Sequence, residues 1–291
     1  MHERLEKPVL IVAFDGLDYE LVQRFGLEHL PQKEAGRIDN HTGIAERKTS
    51  ELFTSFITGE TYEQHGVTGL KKPNNQRLHN IRELIPNGVR GSYRLKQVFD
   101  AATGYEKEFY AKDDYSQDTI FEKTVSRPIH VPGYNPDPAW RLGYVFELVG
   151  KGYSHKSILK QARKQTRNRL HDFYQDYTHD FYDLMMLHLH DPDSIQDVNM
   201  AFKENDPEIL KDEYERLDGI AGNIQERFSD WNIIFMSDHG RPEKNEHNQQ
   251  AFYSANFELF GNQEPHITDF HDKILEIVKC EEGAECKKSF Q

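Results

Sequence analysis

Residues Pro8 to Phe14 (PVLIVAF) form an unbroken apolar run that stops at Asp15-Gly16, and this feature restricts the fold most. Such a run suits a strand covered on both faces, as in a parallel sheet flanked by helices, and it puts Asp15 at the strand's carboxyl end. Two later segments share the pattern. They are Leu184 to His190 (LMMLHLH), ending at Asp191-Pro192-Asp193, and Ile233 to Ser237 (IIFMS), ending at Asp238-His239-Gly240. In open α/β sheets ligands bind at the carboxyl ends of the strands, so acids about 220 residues apart in sequence are expected to meet in one crevice.

Helical spacing fills the intervals. Asp206-Pro207 is an N-cap and first-turn pair, and Ile209, Leu210, Tyr214, Leu217, Ile220, Ala221, Ile224 and Phe228 recur every three or four residues, which predicts a crossover helix into the Ile233 strand. A closing helix is expected from Thr268 onward, and a long polar helix over about His155 to Phe181. The basic stretch Lys160 to Arg169 of that polar helix reads as a solvated face. The region from Lys71 to Gly152 is rich in Pro, Asn, Gly and Tyr. It reads as an inserted set of loops with a strand or two, in which Arg127 to Trp140 lines the pocket.

With 291 residues the chain suits one large domain, and 18 Phe and 14 Tyr supply the bulk of a core. A formal charge of -13 argues against stable nucleic-acid binding and against an anionic membrane, yet it does not exclude a phosphate substrate, because divalent cations invert the potential of an acid-lined pocket. Cys280 and Cys286 have no CxxC spacing and read as free thiols of a reducing compartment. With no signal peptide and no apolar segment near the roughly 20 residues needed to span a bilayer, a cytoplasmic location is expected.

Three constellations carry candidate chemistry. Asp15, Asp238 and His239 bring oxygen and nitrogen donors from strand ends and a tight turn. Thr49 opens the segment Thr49 to Gly59, where a hydroxyl at a helix start meets free backbone N–H groups and the positive end of the helix dipole. Asp193 and Asp197, four residues apart, share one face of a helix, and His247 lies ahead of a strand expected over Ala251 to Ser254. Each has a plainer structural reading. Asp15 suits a helix cap, Thr49 or Ser50 a simple N-cap, and Asp193, Asp197 and His247 the surface.

In this order, strand-Asp15-Gly16, Thr49 with Thr58-Gly59 nine residues on, His65-Gly66-Val67, strand-Asp193 with Asp197, Ser237-Asp238-His239-Gly240 and the late His247 resemble the alkaline-phosphatase superfamily. The likeness is greatest to its type I phosphodiesterase, nucleotide pyrophosphatase and cofactor-independent phosphoglycerate mutase branches. The resemblance implies a three-layer α/β/α sandwich with a mainly parallel central sheet and a small inserted cap at 71–152, within a single domain.

It further implies two divalent cations, one held by Asp15, Thr49, Asp238 and His239, the other by Asp193, Asp197 and His247. Thr49 would attack phosphorus in line to give a phosphothreonine that water then hydrolyses. The cations, about 4 Å apart, stabilise the attacking and leaving oxygens. Family members usually carry His where this chain has Asp197. Oxygen in place of nitrogen hardens the site, so Mn²⁺ or Mg²⁺ stands beside the family's common Zn²⁺. Lys48 or Arg47 is a further phosphate-binding candidate. Leu70 occupies the place of an Asn that the nucleotide pyrophosphatases use, so a nucleotide diester does not follow, and Thr49 in place of Cys or Ser speaks against a sulfatase. The expected activity is hydrolysis of a small phosphate ester, by a phosphodiesterase or a phosphatase. The alternatives are a phosphomutase or phosphotransferase, and a binding protein on a degenerate phosphatase fold.

Overall fold

The computed structural model describes residues 7–86, 92–135, 142–175, 181–204, 206–243, 246–248 and 251–280. The chain begins with β1 (Val9–Phe14), α1 (Tyr19–Phe25), β2 (Glu34–Ile38), α2 (Thr49–Thr58) and the short α3 (Tyr62–His65). Next come β3 (Lys71–Pro73), α4 (Gln76–Glu83), α5 (Ser92–Thr103), β4 (Lys107–Phe109), β5 (Ser126–Ile129), α6 (Leu142–Gly150) and α7 (His155–Tyr174). The last part adds β6 (Leu184–Leu189), α8 (Asp193–Phe202), α9 (Pro207–Arg227), β7 (Asn232–Met236), β8 (Gly240–Glu243), β9 (Glu246–Asn248), β10 (Ala251–Ala255) and α10 (Asp269–Cys280).

Among the described residues the central sheet has six strands in the order β2-β10-β7-β1-β6-β5. β1 lies at its middle, parallel to β6 with Val9 opposite Leu184, and parallel to β7 with Val9 opposite Asn232. β5 runs parallel to β6, whereas β10 runs antiparallel to both β7 and β2. The sheet is therefore largely but not wholly parallel. The three apolar runs read from the sequence are adjacent strands, which brings their carboxyl ends side by side.

Because side chains alternate along a strand, β1 feeds two cores. Val9, Ile11 and Ala13 pack with Leu52, Phe53 and Phe56 of α2 and with Phe270 and Ile274 of α10. Leu10, Val12 and Phe14 pack on the other face with α1, with Leu170 and Phe173 of α7, and with Tyr214 and Leu217 of α9. Helices cover both faces, which makes the sandwich three-layered and explains why β1 and β6 are apolar at nearly every position.

The crossover helix starts where expected: Asp206 caps α9 by accepting the N–H of Glu208 at 3.0 Å, with Pro207 in the first turn. Asp218 of the same helix accepts the backbone N–H groups of Glu28, His29 and Leu30 at 3.2, 2.9 and 2.8 Å, fixing the loop after α1. The polar helix expected as far as Phe181 ends at Tyr174, where Gln175 caps it by donating its N–H to the carbonyl of His171 at 2.9 Å. The segment 71–152 is not wholly peripheral. β3 and β4 form a separate two-stranded ribbon, but β5 is hydrogen-bonded into the central sheet beside β6. No helix among the described residues is long and apolar enough to cross a membrane.

Candidate metal centre

The end of β1 is the pivot of the site. Asp15 follows Phe14 directly, and Gly16 turns the chain at φ +73°. A Cβ on Gly16 would lie 3.0 Å from Cβ of Asp193 and 3.3 Å from Cε1 of His239, so a side chain here would crowd both neighbours in a left-handed conformation that favours glycine. The N–H of Gly16 donates to Oδ1 of Asp238 at 3.4 Å, and the N–H of Asp193 donates to the carbonyl of Asp15 at 3.0 Å. Backbone groups thus tie the ends of β1, β6 and β7 into one crevice.

Asp15, Asp238 and His239 are buried and present ligand atoms within 4.8 Å of one another. Oδ1 of Asp15 stands 3.2 Å from Nε2 of His239, which is 3.7 Å from Oδ2 of Asp238. Nδ1 of His239 meets the carbonyl of Gly240 at 2.8 Å. A carbonyl only accepts, so in the neutral ring Nδ1 keeps the hydrogen and Nε2 turns its lone pair toward the carboxylates. The turn itself is held by Asn40, whose Nδ2 donates to the carbonyl of Asp238 at 2.7 Å, and by Ser237, whose Oγ donates to the carbonyl of Leu17 at 2.6 Å.

Asp193 and Asp197 open α8 four residues apart, as the sequence predicts for one helix face. The preceding Asp191 is engaged elsewhere. It is fully buried, accepts Oγ1 of Thr166 at 2.5 Å, and binds Ser194 and Arg216. Thr49 is the first residue of the ten-residue α2 and is half-buried. The N-cap position falls to Lys48, whose side chain makes no capping hydrogen bond, and Ser50 Oγ donates to the carbonyl of Leu70 at 3.2 Å. The hydroxyls at this helix start are therefore not used as caps. Lys48 is near enough for its charge to act on Asp197, and Phe53 of α2 packs edge-on against His188 at a ring separation of 5.0 Å. His247 lies on β9, where Asn248 pairs with Gly240, so its backbone runs beside the residue after His239. The side chain of His247 is outside the described residues, as are residues 136–140 of the expected pocket stretch and Cys286.

The electrostatics follow from crowding. Burial raises Asp238 to about 7, with the Asp15 charge adding to it, and burial together with the Asp15 charge lifts Asp197 to about 7. Burial and then the charges of Asp197 and Asp15 hold Asp193 well above the usual carboxylate range. For Asp15 burial acts upward, but the imidazoles of His188, His190 and His239 around it outweigh burial and keep the acid well below that range. Burial lowers His239, yet the Asp238 charge and Asp15 override it and raise it to about 10. Several acids around one imidazole are costly in a low-dielectric crevice unless protons or a cation neutralise them.

The donors suit a divalent cation. Oδ1 of Asp15, Oδ1 of Asp193 and Oδ2 of Asp238 are buried without a hydrogen-bond partner among the described residues. Oxygen-rich sites with imidazole accept Mn²⁺, Zn²⁺ or Mg²⁺.

Sequence reasoning passed over three groups here. His188 and His190 form a second cluster with Asp15, and Arg169 of α7, buried rather than solvated, lies against both histidines. Arg163 of the same basic stretch bonds the fully buried Glu213 at 3.0 Å. The signal for the histidines was present: two of them, two positions apart, interrupt an otherwise apolar strand on one face.

No curated protein matches the chain. Among solved structures, murine ectonucleotide pyrophosphatase/phosphodiesterase 5 superposes with a TM-score of 0.45 at 15% identity, over 80% of this chain and 57% of that one. An inactive form of the same murine protein in complex with AMP gives 0.42 at 16% identity, over 81% and 57%. The PH0037 protein of Pyrococcus horikoshii gives 0.43 at 13% identity, over 95% and 98%. The chain thus spans little more than half the length of the murine protein. The family model of the type I phosphodiesterases and nucleotide pyrophosphatases matches residues 9–258, from the first residue of β1 to beyond β10. On that match the chain belongs to the type I phosphodiesterase/nucleotide pyrophosphatase family of the alkaline-phosphatase superfamily.

Proposed function

We propose that this protein is a metal-dependent phosphoric-ester hydrolase, a phosphodiesterase or phosphatase, that acts on a small-molecule ester through a covalent phosphothreonine at Thr49. The observation that carries the reading is the convergence of Asp15, Asp238 and His239, with carboxylate oxygens buried and unsatisfied, beside the acids that open α8. Asp15, Thr49, Asp238 and His239 would hold one cation, and Asp193, Asp197 and His247 the other. Bound divalent cations supply charge neutralisation at the phosphoryl oxygens and a more acidic nucleophile. Zn²⁺ or Mn²⁺ suits this donor set best, with Mg²⁺ as the third choice.

The chain's own part is positioning and charge. The hydroxyl of Thr49 attacks phosphorus: the Oγ1–P bond forms as the P–O bond to the leaving group breaks, the hydroxyl proton passes to water, and water then cleaves the phosphothreonine to release phosphate or a phosphomonoester. The N-terminal turn of α2, which Thr49 opens, would offer backbone N–H groups and the positive end of its dipole to the phosphoryl group. Lys48 adds a positive charge on the same turn, near Asp197.

The reading is tested by hydrolysis of p-nitrophenyl phosphate and bis-p-nitrophenyl phosphate by stripped protein, with Zn²⁺, Mn²⁺ or Mg²⁺ restored in turn. Turnover that requires both metal and Thr49 supports it, and the preferred ester separates phosphatase from phosphodiesterase. A protein that takes up no metal and turns over neither ester is not this enzyme.

A further inference from the structure

The cluster of Asp15, His188 and His190 has the composition of a cation site, but the fourth member of the group decides against that role. Arg169 is 7% exposed. Its Nη1 lies 3.2 Å from Nδ1 of His188 and 2.8 Å from that residue's carbonyl oxygen, while its Nη2 lies 2.8 Å from Nε2 of His190. A guanidinium donates and never accepts, so both of those ring nitrogens are acceptors. The hydrogen of each neutral ring then sits on the other nitrogen, Nε2 of His188 and Nδ1 of His190. Both face the same atom, Oδ2 of Asp15, at 3.5 and 3.4 Å.

A cation held by Asp15, His188 and His190 would need the lone pairs of those two nitrogens. The ring hydrogens would then be forced onto nitrogens that already receive Arg169. The rings are also fixed in orientation, since His188 packs edge-on against both Phe53 and His190, with ring separations of 5.0 and 4.8 Å. The other oxygen of Asp15, Oδ1, points to His239 at 3.2 Å.

We propose that Arg169, His188 and His190 are positioning residues behind Asp15. Arg169 sets the two tautomers, Nδ1 of His190 donates to Oδ2 while Nε2 of His188 faces the same oxygen at 3.5 Å, and Oδ1 is thereby presented to the cation. This inference rests on the metal-centre reading above and deepens it. Carboxylate ligands are oriented by such outer groups, whose loss lowers metal affinity by about 10–100-fold.

The test uses full-length protein labelled with ¹⁵N-histidine. The ring signals of His188 and His190 are assigned by their disappearance in His188→Gln and His190→Gln, and long-range ¹H–¹⁵N spectra report which nitrogen carries hydrogen. The expected result is hydrogen on Nε2 in His188 and on Nδ1 in His190, with neither ring becoming a ligand when Zn²⁺ or Cd²⁺ is added. Arg169→Met is expected to bind Mn²⁺ about 10–100-fold more weakly than wild type, with Arg169→Lys between them. The opposite tautomers, direct coordination by either ring, or unchanged affinity in both Arg169 variants would overturn the proposal while leaving the metal centre standing. Should both variants fail to fold, the wild-type tautomers still decide. A wild type that binds no metal would instead sink the metal-centre reading itself.

Discussion

The backbone N–H of Asp193 donates to the carbonyl oxygen of Asp15 at 3.0 Å, so the start of α8 is fastened to the end of β1 by a main-chain hydrogen bond. The Asp193 side chain is therefore not needed to hold that junction. It is a buried acid that burial and then the charges of Asp197 and Asp15 hold well above the usual carboxylate range. Asp193→Asn keeps the shape and removes the acid. The metal-free variant should melt no lower than wild type, while its gain in Tm on adding Mn²⁺ or Zn²⁺ should shrink. For wild type that gain corresponds to about 2.7 kcal/mol at a hundredfold excess of metal over Kd. Scanning calorimetry with and without metal checks both halves, and a markedly less stable metal-free variant would show that the carboxylate has a structural role.

Thr49 gives a cleaner separation of stability from activity. Its hydroxyl is not a cap, because the N-cap of α2 is Lys48. Thr49→Ala should fold with a Tm close to wild type and lose about 10³-fold or more in kcat/KM, as expected when a nucleophile is removed. Thr49→Ser should retain part of the activity. Acid-quenched turnover by wild type should yield a phosphorylated peptide containing Thr49, and its absence in a protein that turns over substrate would reject the covalent route.

Gly133 packs its backbone against the first turn of α2. It stands at φ +77°, and an added Cβ would meet the carbonyl of Ser50 at 2.8 Å as well as the Thr54 hydroxyl. Gly133→Ala should cost about 1–3 kcal/mol in urea unfolding, from overpacking and left-handed strain together. It should also lower kcat, since the displaced turn carries Thr49. Unchanged stability would mean that the loop yields without disturbing the helix.

His65 supplies a pH signature outside the metal centre. Its Nδ1 accepts the N–H of Val67 at 3.0 Å, so in the neutral ring Nε2 carries the hydrogen and donates to Ser55 Oγ at 2.9 Å. Burial lowers this imidazole to about 4 from its ordinary 6.5. Between those values the unfolded chain binds a proton that the folded chain refuses, so stability falls as pH drops through the window and is unaffected by this group above it. Urea midpoints at about pH 7.5 and about pH 5 should differ more for wild type than for His65→Gln. Equal differences would place the pH sensitivity elsewhere.

The sheet and the meeting of its acids were legible because β1, β6 and β7 are covered on both faces and so advertise themselves as apolar runs. The same holds for α9, whose cap, proline and apolar period agree. What escaped is set by packing between distant segments. β5 is short and polar at Ser126 and Arg127, and only its pairing with β6 makes it a strand of the central sheet. Arg169 sits in a run of basic residues that looks solvated, and nothing local distinguishes it from Lys164 or Arg167. Its burial follows from the rotation of α7 against β6. His188 and His190 were visible as a pair, but their relation to Asp15 depends on the alignment of β6 with β1.

That alignment, in which Ala13 lies opposite both His188 and Met236, makes the parallel strands a ruler for the chemistry at their ends. Side chains alternate along a strand, so inserting or deleting one residue within β1 would turn Asp15 toward the opposite layer, or force every apolar contact of the strand to exchange faces. The strand lengths are therefore under a counting constraint that individual substitutions do not reveal. Length changes in the polar segment around α4 and α5 meet no such ruler.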